Sequence, residues 1–231
     1  MRYSRPWMSC GLATMTLGAV LLCQQGCRPS LTGERQKSRP AKPPADDGWK
    51  KLFDGRTLAG WKVPKIGGEG DVRVQNGAIV MDIGSEMTAV AWTGKTPNNN
   101  YEISLEGMRI SGSDFFCTTT FRVGGEPCTL VVGGWGGSLV GLSNVDGYDA
   151  SENPTTTQLT FENNRWYRVR IRVTDAAVEA WIDDKQVVNQ PRKDHKFGIR
   201  PECNGCQPLG ICTWDTKGAV RNIQLCELPK K

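Results

Sequence analysis

Between Trp166 and Val173 the chain alternates without a break. Tyr167, Val169, Ile171 and Val173 are apolar, and Arg168, Arg170 and Arg172 stand between them. A repeat of two puts one set on each face of an extended strand, whereas a helix would scatter the three arginines around its circumference. The segment reads as a strand with one buried face and one row of arginines turned to water. Val178, Ala180 and Ile182 carry the repeat on, and Asp183-Asp184-Lys185 is a turn before Gln186-Val187-Val188. Tyr101, Ile103 and Leu105 alternate in the same way with Glu102, Ser104 and Glu106. Residues 115–122 and 129–132 are rich in β-branched and aromatic side chains, with Gly124-Gly125 as the hairpin signal between them.

No window offers an apolar stripe at helical spacing over three turns. The 27 glycines and 13 prolines suit a chain that turns often. Short strands spaced by about 8–12 residues predict an all-β fold of two antiparallel sheets packed as a sandwich. Strand pattern by itself leaves jelly-roll, immunoglobulin-like and barrel topologies open.

The first 27 residues read differently. Arg2 and Arg5 precede an apolar run from Cys10 to Cys23 that includes Leu12, Met15, Leu17, Leu21 and Leu22. The run is shorter than the about 20 residues a membrane-spanning helix needs, and it predicts a signal peptide over residues 1–27. Gly26-Cys27 closes it as a bacterial lipoprotein signal would, with a lipid on Cys27, although Gln24 and Gln25 stand where small or apolar residues are usual. An ordinary cleaved signal is the other reading. Residues 28–47, with Pro29, Pro40, Pro43 and Pro44 among basic side chains, predict a disordered tether. One domain is expected over residues 48–229.

The tether also accounts for the charge. Of 29 Lys+Arg and 24 Asp+Glu, 7 and 3 fall in residues 1–47, which leaves 22 against 21 in the remainder. A domain so near neutrality lacks the electrostatic footprint of a nucleic-acid binder. The basic excess faces solvent or anionic lipid head groups. The expected location is outside the cytoplasm, in the cell envelope or periplasm, with the membrane as one partner.

Six cysteines follow the leader: Cys117, Cys128, Cys203, Cys206, Cys212 and Cys226. An even number in an exported domain permits disulfides. Cys117 and Cys128 flank one hairpin but do not fall opposite each other about Gly124-Gly125, so a bond between them needs a shifted register. Cys203, Cys206 and Cys212 have the spacing of half a zinc ribbon without a fourth ligand. Disulfide or free thiols are the favoured reading there.

The lone histidine, His195, sits in the charged run Lys193-Asp194-His195-Lys196 and reads as a surface residue. Glu102 and Glu106 share a strand face, with about 13 Å between their Cα atoms, against the roughly 5 Å between carboxyls of a retaining glycosidase. They read as ordinary strand carboxylates. The unusual stretch is Gly133-Gly134-Trp135-Gly136-Gly137-Ser138, followed by an acidic loop with Asp146, Asp149, Glu152 and Asn153. Four glycines around one tryptophan leave its indole free to stack on a sugar ring, with Asp146, Asp149 and Asn153 bonding hydroxyls. Asp146, Asp149 and Glu152 could instead offer oxygens to a divalent cation such as calcium. The competing reading is a bent strand and a polar loop.

Three stretches carry a family resemblance. They are Gly48-Trp49-Lys50-Lys51-Leu52-Phe53-Asp54-Gly55 with Leu58-Ala59-Gly60-Trp61, then Arg165 to Ile171 with Trp181-Ile182-Asp183-Asp184, then Arg221-Asn222-Ile223-Gln224-Leu225. In this order they resemble the 3-keto-disaccharide hydrolase domain family, which implies a concanavalin A-like jelly roll. The resemblance also implies cleavage or elimination at the glycosidic bond of a 3-keto sugar. There the ketone acidifies the C2 proton, and a carboxylate base with a cationic or metal stabiliser suffices. It points to Asp114 as base, Arg122 as stabiliser and Glu152 as second carboxylate. The central strand reads Ser113-Asp114-Phe115-Phe116-Cys117 where common members carry Asn-Ser-Gly. Residues 129–134 lack the family's acidic residue. A non-catalytic carbohydrate-binding module and a structural envelope protein are the alternatives.

Overall fold

The computed structural model describes residues 48–229; the leader, the tether and Cys27 lie outside them. Among the described residues the strands in chain order are β1 (Trp49–Lys51), β2 (Trp61–Lys62), β3 (Val72–Gln75), β4 (Ala78–Met81), β5 (Met87–Trp92), β6 (Tyr101–Gly112), β7 (Thr118–Val123), β8 (Glu126–Gly133), β9 (Leu139–Ser143), β10 (Thr157–Gln158), β11 (Trp166–Val173), β12 (Ala177–Ile182), β13 (Lys185–Pro191), β14 (Gly210–Trp214) and β15 (Thr216–Glu227). They form two antiparallel sheets. The larger runs β13-β12-β11-β6-β15-β4-β3, with β1 also paired to β15; the smaller runs β10-β9-β8-β7-β14-β5-β2. This is the jelly-roll sandwich, all-β as the alternation predicts.

The hydrophobic pattern sets the register. Val169, Ile171 and Val173 lie opposite Ile182, Ala180 and Val178 on β12, and opposite Leu105, Ile103 and Tyr101 on β6. These side chains are buried against Phe121, Leu130, Leu142 and Ile211 of the smaller sheet, closing the core between the layers. Both predicted hairpins are present. Gly124-Gly125 joins β7 to β8, and Asp183-Asp184 joins β12 to β13, all four at positive φ. That backbone is the one a two-residue hairpin turn demands.

The arginine row is drier than the alternation predicts. Arg170 stacks over the Trp181 ring at 3.9 Å and Arg221 over Trp166 at 4.0 Å. Glu102 is only 6% exposed and pairs with Arg172 and Arg170. Glu106 pairs with Arg221 at 2.7 Å. The two glutamates are thus ion-pair partners on the outer face of the larger sheet.

The smaller sheet departs in the same direction and further. Thr119 faces the core, yet Thr118 and Thr120 on its other face are also fully buried. A 3-10 turn over Pro201–Cys206 and the loop after β9 cover that outer face. The cover leaves one depression, and the candidate site is there.

Candidate functional site

The floor of the depression crosses four neighbouring strands. Ser143 on β9 lies opposite Thr129 on β8, Thr129 opposite Thr120 on β7, and Thr118 opposite Cys212 on β14. The walls come from three loops, which bring Asp114, Phe115, Trp135, Arg200, Glu202 and Cys203 to one cavity, and from Trp214 at the end of β14.

Trp135 stands on the turn from β8 to β9. Gly133, Trp135, Gly136 and Gly137 all have positive φ there, Trp135 at 48°. A non-glycine residue in the left-handed region costs about 1–2 kcal/mol and persists only where its surroundings hold it. The glycines serve the backbone: a Cβ on Gly137 would lie 2.7 Å from the Ser113 carbonyl oxygen. Asp114 braces the same turn, because its carboxylate accepts from the N–H of Phe115 at 2.7 Å and of Gly136 at 3.0 Å. The indole ends 44% exposed at the cavity.

Buried Arg109 ties these walls together from behind. Its guanidinium donates to Phe161 O at 2.7 Å and Asn163 Oδ1 at 2.8 Å, with longer bonds to Gly137 O and Asp114 O.

On the facing wall, Arg200 bridges two carboxylates, Asp149 at 3.1 Å and Glu202 at 3.1 Å. The Arg200 hydrogen bond holds the Glu202 carboxyl below its ordinary range. The same pairing raises the guanidinium of Arg200. Glu202 Oε1 is engaged by Arg200, whereas Oε2 is buried and has no hydrogen-bond partner among the described residues. Ser143 Oγ, on the floor, is in the same condition. Buried polar atoms in native proteins are nearly always bonded, so two unbonded ones on residues that line a single cavity are what a ligand's hydroxyls would satisfy.

The residues singled out from sequence fall into separate places. Asp114 and Trp135 line the cavity. Asp149 reaches it only through Arg200, and its other oxygen accepts from Ser151. Asn153 is spent inside its own loop. Its Nδ2 donates to Leu142 O, Tyr148 O and Asp149 O, and its Oδ1 accepts from Thr155. That leaves no polar atom of Asn153 for a ligand. Asp146 accepts from Lys196 N at 2.8 Å and contacts His195 Nδ1 at 2.6 Å, away from the cavity. The Lys196 N–H bond, with His195, lowers its pKa. Glu152 is exposed and outside the lining. Arg122, expected as the stabiliser, lies outside the cavity lining. It sits beside the Gly124-Gly125 hairpin, bonded to Gly125 O, and Arg200 holds the cationic place instead. No group of three or more His, Cys, Asp or Glu among the described residues is placed to hold a metal ion.

Sequence reasoning missed Arg200, Glu202, Ser143 and Trp214. Arg200 and Glu202 flank a proline beside the cysteine pair, a context that drew attention to the thiols only. Ser143 and Trp214 stand at strand ends, where alternation cannot say which face a loop will cover.

Solved structures share the architecture at low identity. A Crh5 transglycosylase in complex with NAG aligns over 79% of this chain and 85% of its own, with TM-score 0.56 and 14% identity. A Bacillus subtilis protein of unknown function with a galectin-like fold aligns over 79% and 100%, with TM-score 0.55 and 10% identity. A putative glycosyl hydrolase from Parabacteroides distasonis aligns over 79% and 94%, with TM-score 0.51 and 16% identity. At these identities the likeness is one of fold. No curated protein matches the sequence. The sequence profile of one family matches residues 48–226, a span that takes in all three stretches that carry the resemblance and every wall of the cavity, and the chain belongs to that family, the 3-keto-alpha-glucoside-1,2-lyase-like domains.

Proposed function

We propose that this chain is an exported carbohydrate-active domain, held at a membrane by its N-terminal segment, that takes a 3-keto-glycoside into the cavity and cleaves its glycosidic bond. The observation that carries the reading is the cavity's pairing of a half-exposed indole, Trp135, with two unbonded buried oxygens, Ser143 Oγ and Glu202 Oε2. A sugar ring offers one apolar face to stack on an indole and a rim of hydroxyls to bond such oxygens.

The chemistry follows from the walls. A ketone at C3 makes the C2 proton acidic. Glu202, kept ionised by Arg200, takes that proton on Oε2, and the Arg200 guanidinium lies beside the developing enolate oxygen. Collapse of the enolate expels the group at C1, leaving a double bond that water can add across. Asp114 is already committed to two backbone N–H groups, so it positions the Trp135 turn and Glu202 is the better base.

The test is to incubate the purified protein with a 3-keto-disaccharide and with the unoxidised disaccharide, following release of free sugar. Turnover of the keto form alone is expected. Trp135→Ala should raise KM roughly tenfold, ~1.4 kcal/mol, with little change in melting temperature because the side chain packs no core. Binding without turnover would make the domain a carbohydrate-binding module. Neither binding nor turnover, or a collapse of stability in Trp135→Ala, would remove the cavity from consideration.

A further inference from the structure

Three thiols meet behind one wall of the cavity. Cys203 and Cys206 lie three residues apart on the 3-10 turn, where residues i and i+3 eclipse. Both are buried, and they share an apolar cluster with Met87, Ala89 and Cys212. Cys212 stands on β14 between Ala89 of β5 and Thr118 of β7. The turn sits hard on the strand: a Cβ on Gly210, two residues before Cys212, would be 2.7 Å from Cys206 Cβ. The Cys212 thiol donates to the Thr118 carbonyl oxygen at 3.6 Å. Cys203 alone of the three also lines the cavity, so it alone has an approach from solvent.

The other buried thiols are different. Cys128 lies opposite Phe121, while Phe116, beside Cys117, bonds as far along β8 as Val132. Cys117 and Cys128 are therefore out of register for a bond, and burial pushes both thiols well up. In the cluster the Cys212 hydrogen bond lowers Cys203 below the ordinary thiol value, with Thr129 assisting. The contacts with Cys203 and Cys206, together with burial, raise Cys212. Cys203 is thus the thiol of the cluster shifted toward thiolate, and it is the one that lines the cavity.

We propose that Cys203, Cys206 and Cys212 form a thiol–disulfide exchange site opening into the cavity, in which Cys203 attacks a small external disulfide and Cys212 resolves the product into a Cys203–Cys212 bond. In the first step the Cys203 thiolate attacks one sulfur of R–S–S–R. The external S–S bond breaks, and one RS⁻ leaves to take up a proton. In the second, Cys212 gives up its proton and attacks Cys203 Sγ, expelling the second RS⁻. Two protein thiols lose two electrons and two protons, and one external disulfide becomes two thiols. Cys206 keeps its thiol. The bond would fasten the turn that carries Arg200 and Glu202 to β14, so the cavity wall would be held or released by the thiol balance of its surroundings. The inference stands apart from the carbohydrate reading, since it needs only the thiols and their access.

The test uses the full chain, reduced, desalted and exposed to 2-hydroxyethyl disulfide. Remaining thiols are blocked with iodoacetamide, and the protein is then reduced and relabelled with N-ethylmaleimide. Tandem mass spectrometry reads each cysteine. Cys203 and Cys212 should carry the second label and Cys206 the first, and the intact mass should fall by two hydrogens before reduction. Cys212→Ala should trap one mercaptoethanol on Cys203 instead, and Cys203→Ser should lose both the adduct and the bond. The wild-type map needs no variant to fold. A bond between any other pair, an adduct first on Cys117 or Cys128, or no reaction until the protein is unfolded would each overturn the proposal.

Discussion

Glu202 is the residue on which the site's chemistry turns, and its behaviour with pH has a defined sign. Its folded pKa lies below the ordinary 4.5 because Arg200 stabilises the ionised form. A depressed acid favours the folded pair above its ordinary value and loses that advantage as pH falls through the lowered one. Substrate turnover should therefore hold level down to about pH 4.5 and decline only below it. Glu202→Gln should abolish turnover while leaving binding through Trp135 largely intact. A Glu202→Gln enzyme that keeps wild-type turnover with the same acid limb would exclude Glu202 as the base. The side chain is 37% exposed, so solvent screens the pair and its share of stability is small.

Arg109 poses the complementary case, a buried cation among carbonyls rather than carboxylates. Arg109→Met fills much of the same space but strands the buried Phe161 carbonyl, while the exposed Asn163 amide can turn to water. An unsatisfied buried acceptor costs about 1–3 kcal/mol, so urea unfolding should shift by that order. Because Arg109 also ties the Asp114 and Gly137 segments, ligand affinity should fall together with stability. Unchanged stability would show the loops to be held by the sheet alone.

At the scale of the element, the 3-10 turn on β14 is the sensitive joint. Gly210 has room for no side chain: an added Cβ would stand 2.5 Å from the Cys206 carbonyl oxygen and 2.7 Å from its Cβ. Those are backbone and near-backbone atoms, so the turn itself must lift. Gly210→Ala should cost about 1–3 kcal/mol, as overpacking does, and move Arg200 and Glu202 off the cavity. Weakened turnover with an unchanged melting temperature would mean the turn yields without strain.

The same joint marks the limit of what the sequence discloses. The strand of residues 166–173 was legible because two periods coincide there, apolar on one side and arginine on the other. β7 was legible as a strand, but Thr118, Thr119 and Thr120 give no hint that both faces are covered. Threonine suits a pleated surface, wet or dry. Trp135 and Asp114 could be found because glycines and the family resemblance point at them. Arg200 and Glu202 could not, since what brings them to the cavity is the packing of a turn onto the face of β14 and β5, the second of them distant in sequence. Arg122 looked equivalent from sequence, and only its position by the Gly124-Gly125 hairpin separates it from the site.

For the whole molecule, the question is how much of the chain the fold needs. Every residue of the main core lies between Leu52 and Leu225. Trp61 Nε1 donates to Leu52 O at 2.8 Å, and β1 closes onto β15 through Trp49 and Cys226. Both sheets and the main core are thus assembled among the described residues. A chain of residues 48–229 should fold alone and melt within a few degrees of the protein that retains the tether. The proposed role of the N-terminal segment, addressing the protein to a membrane, is tested separately. In bacteria carrying the full gene the protein should fractionate with membranes, and Cys27→Ser should release it to the soluble fraction with its melting temperature and turnover unchanged. Wild type found wholly in the soluble fraction would rule out the lipid anchor. A truncated domain that fails to fold would show that the tether contributes to the sandwich after all. The two measurements are independent, because the first reads where the protein resides and the second reads whether the core is sufficient.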